Sequence, residues 1–431
     1  MFIRSKAALA FAIPALAVGL AACGSDEETS TTPGSGASGA TGGGEATGDV
    51  TVYSSLPLQG ASKDQTNAMV DGIKLALKQA GGKAGGVNVK YESLDDSTAQ
   101  AGNWDPNQVA SNARKVAQDK SAVAYIGEFN SGASALSIPI LNQVGIAQIS
   151  PANTYVGLTT DEPGSEKGEP EKYQPTGKKT YARIVPRDTI QAQALVTQMQ
   201  EDGCKAVAVA NDKDTYGLGL ARLFEIKAKE ASLQITANEG IQKDSANFRS
   251  VAGKFKSQGA DCFFFAGVTA NGAVQIYKDV ASALPEAKLY GADGVCESGF
   301  TNAKKGGIPK KVAERFSCTV ATLDLSSYPG GKDFLTAFKE EYPDTAGEPD
   351  PYAIYGYEAM QLALDTIEAA GEAGTTREGV LEQLFQTKDR DSVLGTYSID
   401  ENGDTTLTDY GLYTVNDMGD PAYASTIKDT P

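Results

Sequence analysis

Three places in this 431-residue chain put polar side chains where they could hold a charged ligand. The first is 122–136, AVAYIGEFNSGASAL, where an apolar run stops at Gly127 and opens into Asn130, Ser131, Gly132, Ala133 and Ser134. A helix-like stretch, 135–143, follows and is interrupted by Pro139. A buried strand that enters a small-residue turn and then a helix leaves backbone N–H groups unpaired at the positive end of the helix dipole. That geometry suits an anion. The second place is 147–154, AQISPANT, another apolar run closing on small donors, Ser150, Asn153 and Thr154. Two such strand ends in one α/β sheet make a ligand crevice beyond the carboxyl edge of the strands. Ser and Thr acting only as helix caps is the competing explanation. The third place is Asp293, in the loop 290–294, YGADG. A carboxylate among apolar neighbours is costly unless a cation pairs with it, but Asp before Gly is ordinary turn chemistry, and on these residues alone the turn is the favoured reading.

Other chemistries are poorly served. The chain has 55 acidic residues against 38 Lys and Arg, a net charge of −17, and no His. Without His there is no Ser-His-Asp or Cys-His arrangement, and the commonest metal ligand and general base is missing. No long basic run exists to hold nucleic acid. No acidic pair has a recognisable catalytic spacing, so a hydrolase built on two carboxylates ranks last and the chain is expected not to be an enzyme. The Gly-rich 81–86 lacks the Gly-Lys-Ser/Thr ending of a phosphate loop. Residues 400–404, DENGD, open like a calcium loop but lack the closing Glu, and are read as a turn between the strands 395–399 and 409–415. Trp104, in 102–106, GNWDP, sits in an apparent insertion that either touches a cleft mouth or packs on the surface. No cofactor and no metal are expected.

The elements that position these residues alternate. Strand 50–54, helix 65–80, strand 87–93, helix 107–118 and strands 122–126 and 147–149 form one β-α-β set, which implies a parallel sheet with right-handed crossovers. A polar excursion, 159–180, separates it from a second set of the same kind, 190–291. Helices at 333–342, 353–371 and 377–387 and a terminal strand pair follow, as if to complete both layers. The length also exceeds one ordinary core. Two lobes visited more than once are expected.

The first 22 residues carry Arg4 and Lys6, then an apolar segment too short to remain in a bilayer, and close on Leu20-Ala21-Ala22-Cys23. This is a secretory signal ending in a bacterial lipobox, with Cys23 the lipid acceptor. In residues 24–48, 20 of 25 are Gly, Ser, Thr or Ala. Such a segment cannot order itself and reads as a leash. Cys204, Cys262, Cys296 and Cys318 remain, an even set that outside the cytoplasm favours disulfides. Cys204 and Cys262 each precede an apolar strand, which favours pairing them and leaves Cys296 for Cys318. Four cysteines allow three pairings, and spacing does not choose among them.

The order of several short segments is more specific than any one of them. These are LPLQG (56–60), Asp95-Asp96, IGEFNS (126–131), ISPANT (149–154), ARIVPRD (182–188), Tyr216-Gly217, GADG (291–294) and YGYEA (355–359). Together, over nearly the whole body, they resemble the leucine/isoleucine/valine-binding family of extracytoplasmic solute-binding proteins that serve ABC importers. The resemblance implies an α/β, two-lobe type I periplasmic-binding fold, each lobe a mostly parallel sheet flanked by helices. It implies three hinge crossings, near Pro186, Leu323 and Val393. The lobes would be 49–186 with 324–392, and 187–323 with 393–431, after a signal (1–22) and a linker (23–48).

It further implies that Ser131 and Thr154 hold an α-carboxylate. The Ala152 carbonyl and Asp293 would take the α-ammonium, and Tyr216 would close from the second lobe. The family has Cys where this chain has Asn130, beside a large Phe129, so a different side chain, an amide or an aromatic acid is weighed against leucine. The first-lobe disulfide of the family is missing, since no Cys lies between Cys23 and Cys204. The implied partners are an amino-acid-like ligand, ABC permease and ATPase subunits, and a membrane through the lipid anchor. A sensor of the same fold, signalling to a membrane receptor, is the alternative.

Overall fold

The computed structural model describes residues 48–345 and 347–428. The expected signal, Cys23 and nearly all of the linker lie outside the described residues. The first alternating set forms β1 (Gly48–Leu56), β2 (Lys83–Ala84) and β3 (Val87–Asp95). A small hairpin of β4 (Ser97–Thr98) and β5 (Asn103–Trp104) comes next, then β6 (Ala122–Gly127), β7 (Ala147–Ser150) and β8 (Tyr181–Arg183). Apart from the hairpin these make a six-stranded sheet in the order β2-β3-β1-β6-β7-β8, parallel except where β2 meets β3. β6 is apolar and buried throughout and β1 is buried from Val50 onward, as parallel strands covered on both faces must be. Helices α1 (Lys63–Gln79), α2 (Pro106–Gln118) and α3 (Ser131–Asn142) connect the strands. α2 starts one residue before the expected 107, because Asp105 caps it by accepting from the Asn107 and Gln108 N–H and Pro106 occupies its first position.

The second set builds β9 (Ala206–Asn211), β10 (Gln234–Gly240), β11 (Cys262–Ala266), β12 (Lys288–Gly291), β13 (Phe316–Val320), β14 (Tyr410–Val415) and β15 (Pro421–Ile427). They form a seven-stranded sheet, β10-β9-β11-β12-β13-β14-β15, whose last two strands run antiparallel to their neighbours. α4 (Asp188–Glu201) and α5 (Thr215–Glu230) cover it. Helices Gly331–Glu341, Tyr352–Ala369 and Arg377–Phe385 return to the first sheet, where Phe334, Phe338, Ile354, Ile367 and Val380 join the core of Val50 and Val52.

The ends of the chain differ from the reading. Residues 395–399 do not pair with 409–415. They make only isolated bridges, Arg390 with Tyr397 and Ile399 with Thr405, while β14 lies between β13 and the terminal β15. Leu394, Tyr397 and Ile399 pack into the first sheet's core, and the Arg183 N–H donates to the Gly403 carbonyl at 2.8 Å. We therefore place the third passage between the lobes at 405–409, later than Val393. The first two passages join β8 to α4 and β13 to the helix Gly331–Glu341.

Residues 400–404 are the turn that was expected, closed by the Asn402 and Asp404 N–H donating to Asp400 Oδ1, both at 2.8 Å. Cys204 stands beside Cys262, Cα–Cα 5.9 Å, and Cys296 beside Cys318, 5.7 Å, within the usual range for disulfides. Among the described residues no helix is long and apolar enough to cross a membrane.

Candidate functional site

The first lobe supplies its wall from two strand ends. β6 stops at Gly127, and α3 begins at Ser131, earlier than the expected stretch 135–143, and runs on through Pro139. The N–H groups of Ala133 and Ser134 donate to the Asn130 carbonyl, both at 3.1 Å. The N–H groups of Ser131 and Gly132 are left at the open start of the helix. Asn130 occupies the cap position, yet its side chain makes no cap bond and its buried Oδ1 has no donor. Capping therefore does not account for Asn130.

The second strand end is tied to the first. Ser150 Oγ donates to the Glu128 carbonyl and accepts from the Asn153 N–H, each at 2.9 Å, and Asn153 Nδ2 donates to the Phe129 carbonyl at 2.8 Å. Thr154 is fixed from behind by Arg183, which is fully buried. Its guanidinium donates to the carbonyls of Asn153, 3.1 Å, and Tyr155, 2.8 Å, and is paired with Asp404 at 2.6 Å.

The second lobe opposes these donors with carboxylates. Asp293 Oδ1 accepts from Tyr216 Oη at 2.6 Å and from Gln191 Nε2 at 2.8 Å, and the backbone N–H groups of Asp293 and Gly294 also favour its charged form. Burial raises the Asp293 carboxyl above its ordinary value, and the bonds from Tyr216 and Gln191 offset this only in part. Asp188 starts α4 and gives its N–H to the Thr154 carbonyl at 2.8 Å. Its own carboxylate is buried with no donor in bonding geometry, and burial, then the charge of Asp293, pushes it well up while the neighbouring Thr154 hydroxyl opposes this.

Ser131, Thr154, Asn130 and Phe129 from one side, with Ala152 beside them, meet Asp293 and Tyr216 from the other around one cavity. All seven residues singled out from the sequence line it. The enclosed space is about 30 Å³, room for a water molecule or two, so an amino acid enters only when the lobes part.

A family model described as periplasmic binding protein matches residues 50–420. The chain belongs to the periplasmic binding protein family. Leu/Ile/Val-binding protein homolog 1 of Brucella melitensis is 26% identical over 376 residues, 86% of this chain and 91% of the relative. Among solved structures, a leucine-binding protein from Thermotoga maritima superposes with a TM-score of 0.74 at 22% identity, covering 88% of this chain and 99% of its own. A solute-binding protein of an ABC transporter from Rhodopseudomonas palustris, in complex with p-hydroxybenzoic acid, superposes with a TM-score of 0.71 at 16% identity, covering 89% and 98%. These likenesses establish the two-lobe periplasmic-binding fold.

This periplasmic binding protein has cleft residues that were not anticipated. Ser62, Asp212 and Asp214 line the cavity, and Trp104 of the hairpin reaches it, which answers the question its insertion posed. Gly132 is required there, because a Cβ would stand 2.8 Å from Trp104 Cζ2. Asp214 could have been suspected from its place before a helix, where its carboxylate accepts from the Thr215 N–H at 2.8 Å. Asp212 is a positioning residue, accepting from the N–H of Asp214 and Val268 and from Asn271, and burial foremost pushes it up to about 6.

Glu297, beneath Ser62 and Thr269, is buried without a donor in bonding geometry, and burial pushes its carboxyl up to about 7. A carboxyl raised on folding stabilises the fold below its unfolded value and loses that contribution as pH rises through the folded one. Glu297→Gln is accordingly expected to leave stability nearly unchanged at pH 4 and to raise it by about 3 kcal/mol at pH 8. Urea denaturation at the two pH values measures this; an equal effect at both would refute the assignment.

Proposed function

We propose that this chain is the substrate-binding component of an ABC importer, held outside the cytoplasm by lipid on Cys23, and that it takes an α-amino acid between its lobes. One observation carries the reading: a single cavity has neutral donors on one wall and, on the other, the Asp293 carboxylate with no Lys or Arg among the described lining residues. The Ser131 and Thr154 hydroxyls and the open N–H groups of α3 suit a carboxylate, while the Asp293 carboxylate and the Ala152 carbonyl suit an ammonium. Charged hydrogen bonds of this kind contribute roughly 1.5–3 kcal/mol each. Three or four of them, less the cost of ordering, support binding of roughly micromolar strength. Closing of the lobes around the ligand is the signal a permease would read.

An aromatic acid fits less well, because it brings a carboxylate and no ammonium to a wall that holds Asp212, Asp214 and Asp293. In an oxidising compartment the two cysteine pairs would be disulfides. Thermal-shift titration against the amino acids tests the ligand class, since linkage requires a melting temperature that climbs with ligand concentration. No shift with any α-amino acid would end this reading. The anchor is tested by fractionation, where Cys23→Ser is expected to move the protein from membranes to the soluble fraction.

A further inference from the structure

The cleft carries more negative charge than a simple zwitterion can answer. Asp212, Asp214 and Asp293 line it, and none of its lining residues among those described is Lys or Arg. A ligand carboxylate would be met by neutral donors, and its ammonium by Asp293. Asp212 is already satisfied by three protein donors. Asp214 is half-buried, accepts from the Thr215 N–H, and meets no Lys or Arg on the cleft side, so it can receive a cation from a bound ligand.

The surroundings of Asp214 are those of a cation site. A Cβ placed on Gly132 would stand 3.1 Å from Asp214 Oδ1 and 2.8 Å from Trp104 Cζ2, so carboxylate and indole converge on one point where the lobes meet. A carboxylate beside an aromatic ring attracts ammonium and guanidinium groups. An independent sign comes from Asn130, which is only 8% exposed, lines the same cavity and has an Oδ1 with no donor. That oxygen calls for an N–H from the ligand. Two lysines stand on the outer side of this wall: the stem of Lys213 packs along Gly240, and Lys213 and Lys243 line an outer cavity that shares Trp104, Asp212 and Asp214 with the cleft. The chain's net charge of −17 also draws cationic solutes towards it.

We propose, resting on the reading of the cleft as an amino-acid site, that the ligand carries a second positive charge at the end of its side chain. It is a basic amino acid of the lysine, ornithine or arginine kind, with Asp214, Trp104 and Asn130 receiving the distal group. Titration calorimetry of the full-length protein with lysine, ornithine, arginine and norleucine tests this, norleucine matching the lysine chain without its charge. At least one basic amino acid is expected to bind more than tenfold tighter than norleucine.

Asp214→Asn keeps the acceptor that caps α5 and is expected to bring that ratio down towards one, with Trp104→Leu lowering it to a smaller extent. If norleucine binds as tightly as every basic amino acid, the second charge is refuted and the amino-acid reading stands. A preference for basic ligands that persists undiminished in both variants refutes the assignment to Asp214 and Trp104. Binding of none of the four overturns the second charge, and the amino-acid reading beneath it falls only if the thermal-shift titration also finds no α-amino acid that binds.

Discussion

Asp293→Ala is expected to weaken the proposed α-amino-acid binding severely while leaving the unliganded protein as stable as before or more so. Truncating one partner of a buried charge pair costs about 2–5 kcal/mol, which is a loss of about 30-fold to several thousand-fold in affinity. The unliganded fold does not share the loss. Burial already opposes ionisation of this carboxyl, Tyr216 and Gln191 compensate only in part, and Asp188 lies close enough to feel its charge. Removing a carboxylate from such a place relieves repulsion, so melting temperature without ligand is expected to hold or rise. Calorimetric titration and thermal melts of the two proteins give both numbers. An unchanged affinity would return Asp293 to the status of a turn residue.

The same carboxyl sets the direction of the pH dependence. It is raised above the ordinary range, so it loses its charge earlier than a free Asp as pH falls. Affinity for the ammonium is expected to weaken on acidification, and to do so less in Asp293→Asn, whose amide does not titrate.

Asp404→Ala is expected to cost about 3–5 kcal/mol of stability, the usual result of leaving one partner of a buried ion pair alone. Arg183 is 0% exposed and Asp404 is 4% exposed, so neither group has water to fall back on. Burial raises the Asp404 carboxyl, and Arg183 and Arg187 outweigh that to hold it below its ordinary value. A depressed carboxyl contributes stability above its unfolded value and loses it as pH falls through the folded one. The penalty of the substitution is therefore full at pH 7 and shrinks in strong acid.

Affinity should fall as well, because Arg183 holds the carbonyls on both sides of Thr154. Urea midpoints at neutral and acid pH measure the first effect, and ligand titration measures the second. A loss below about 1 kcal/mol at neutral pH, the size expected of an exposed pair, would refute the role assigned to the pair.

Much of this architecture is local and therefore legible. The apolar run of β6, the Asp105-Pro106 start of α2 and the small-residue ends at Asn130-Ser131 and Ala152-Thr154 each state their conformation within a few residues. Their order along the chain carried the family resemblance. What failed was also local in form but global in cause. Residues 395–399 have strand-like composition, yet their neighbours are Glu358 and Arg390, to which Tyr397 is joined, and no strand edge lies alongside beyond isolated bridges. The true partner of β14 on that side is β15, at the very end of the chain.

The sequence by itself determined the alternating α/β order and the two donor-rich strand ends, because side-chain type and short-range periodicity are enough for these, whereas Asp293 was singled out only through the family resemblance. Only the tertiary structure decided what each charged group answers to. Gln191 meets Asp293 across 102 residues and Arg183 meets Asp404 across 221, and no periodicity reports on contacts of that range. The acidity of the cleft was decided in the same way. Asp212, Asp214 and Asp293 become one electrostatic surface only when the ends of β9 and β12 come together in a single sheet, facing the start of α3 on the other.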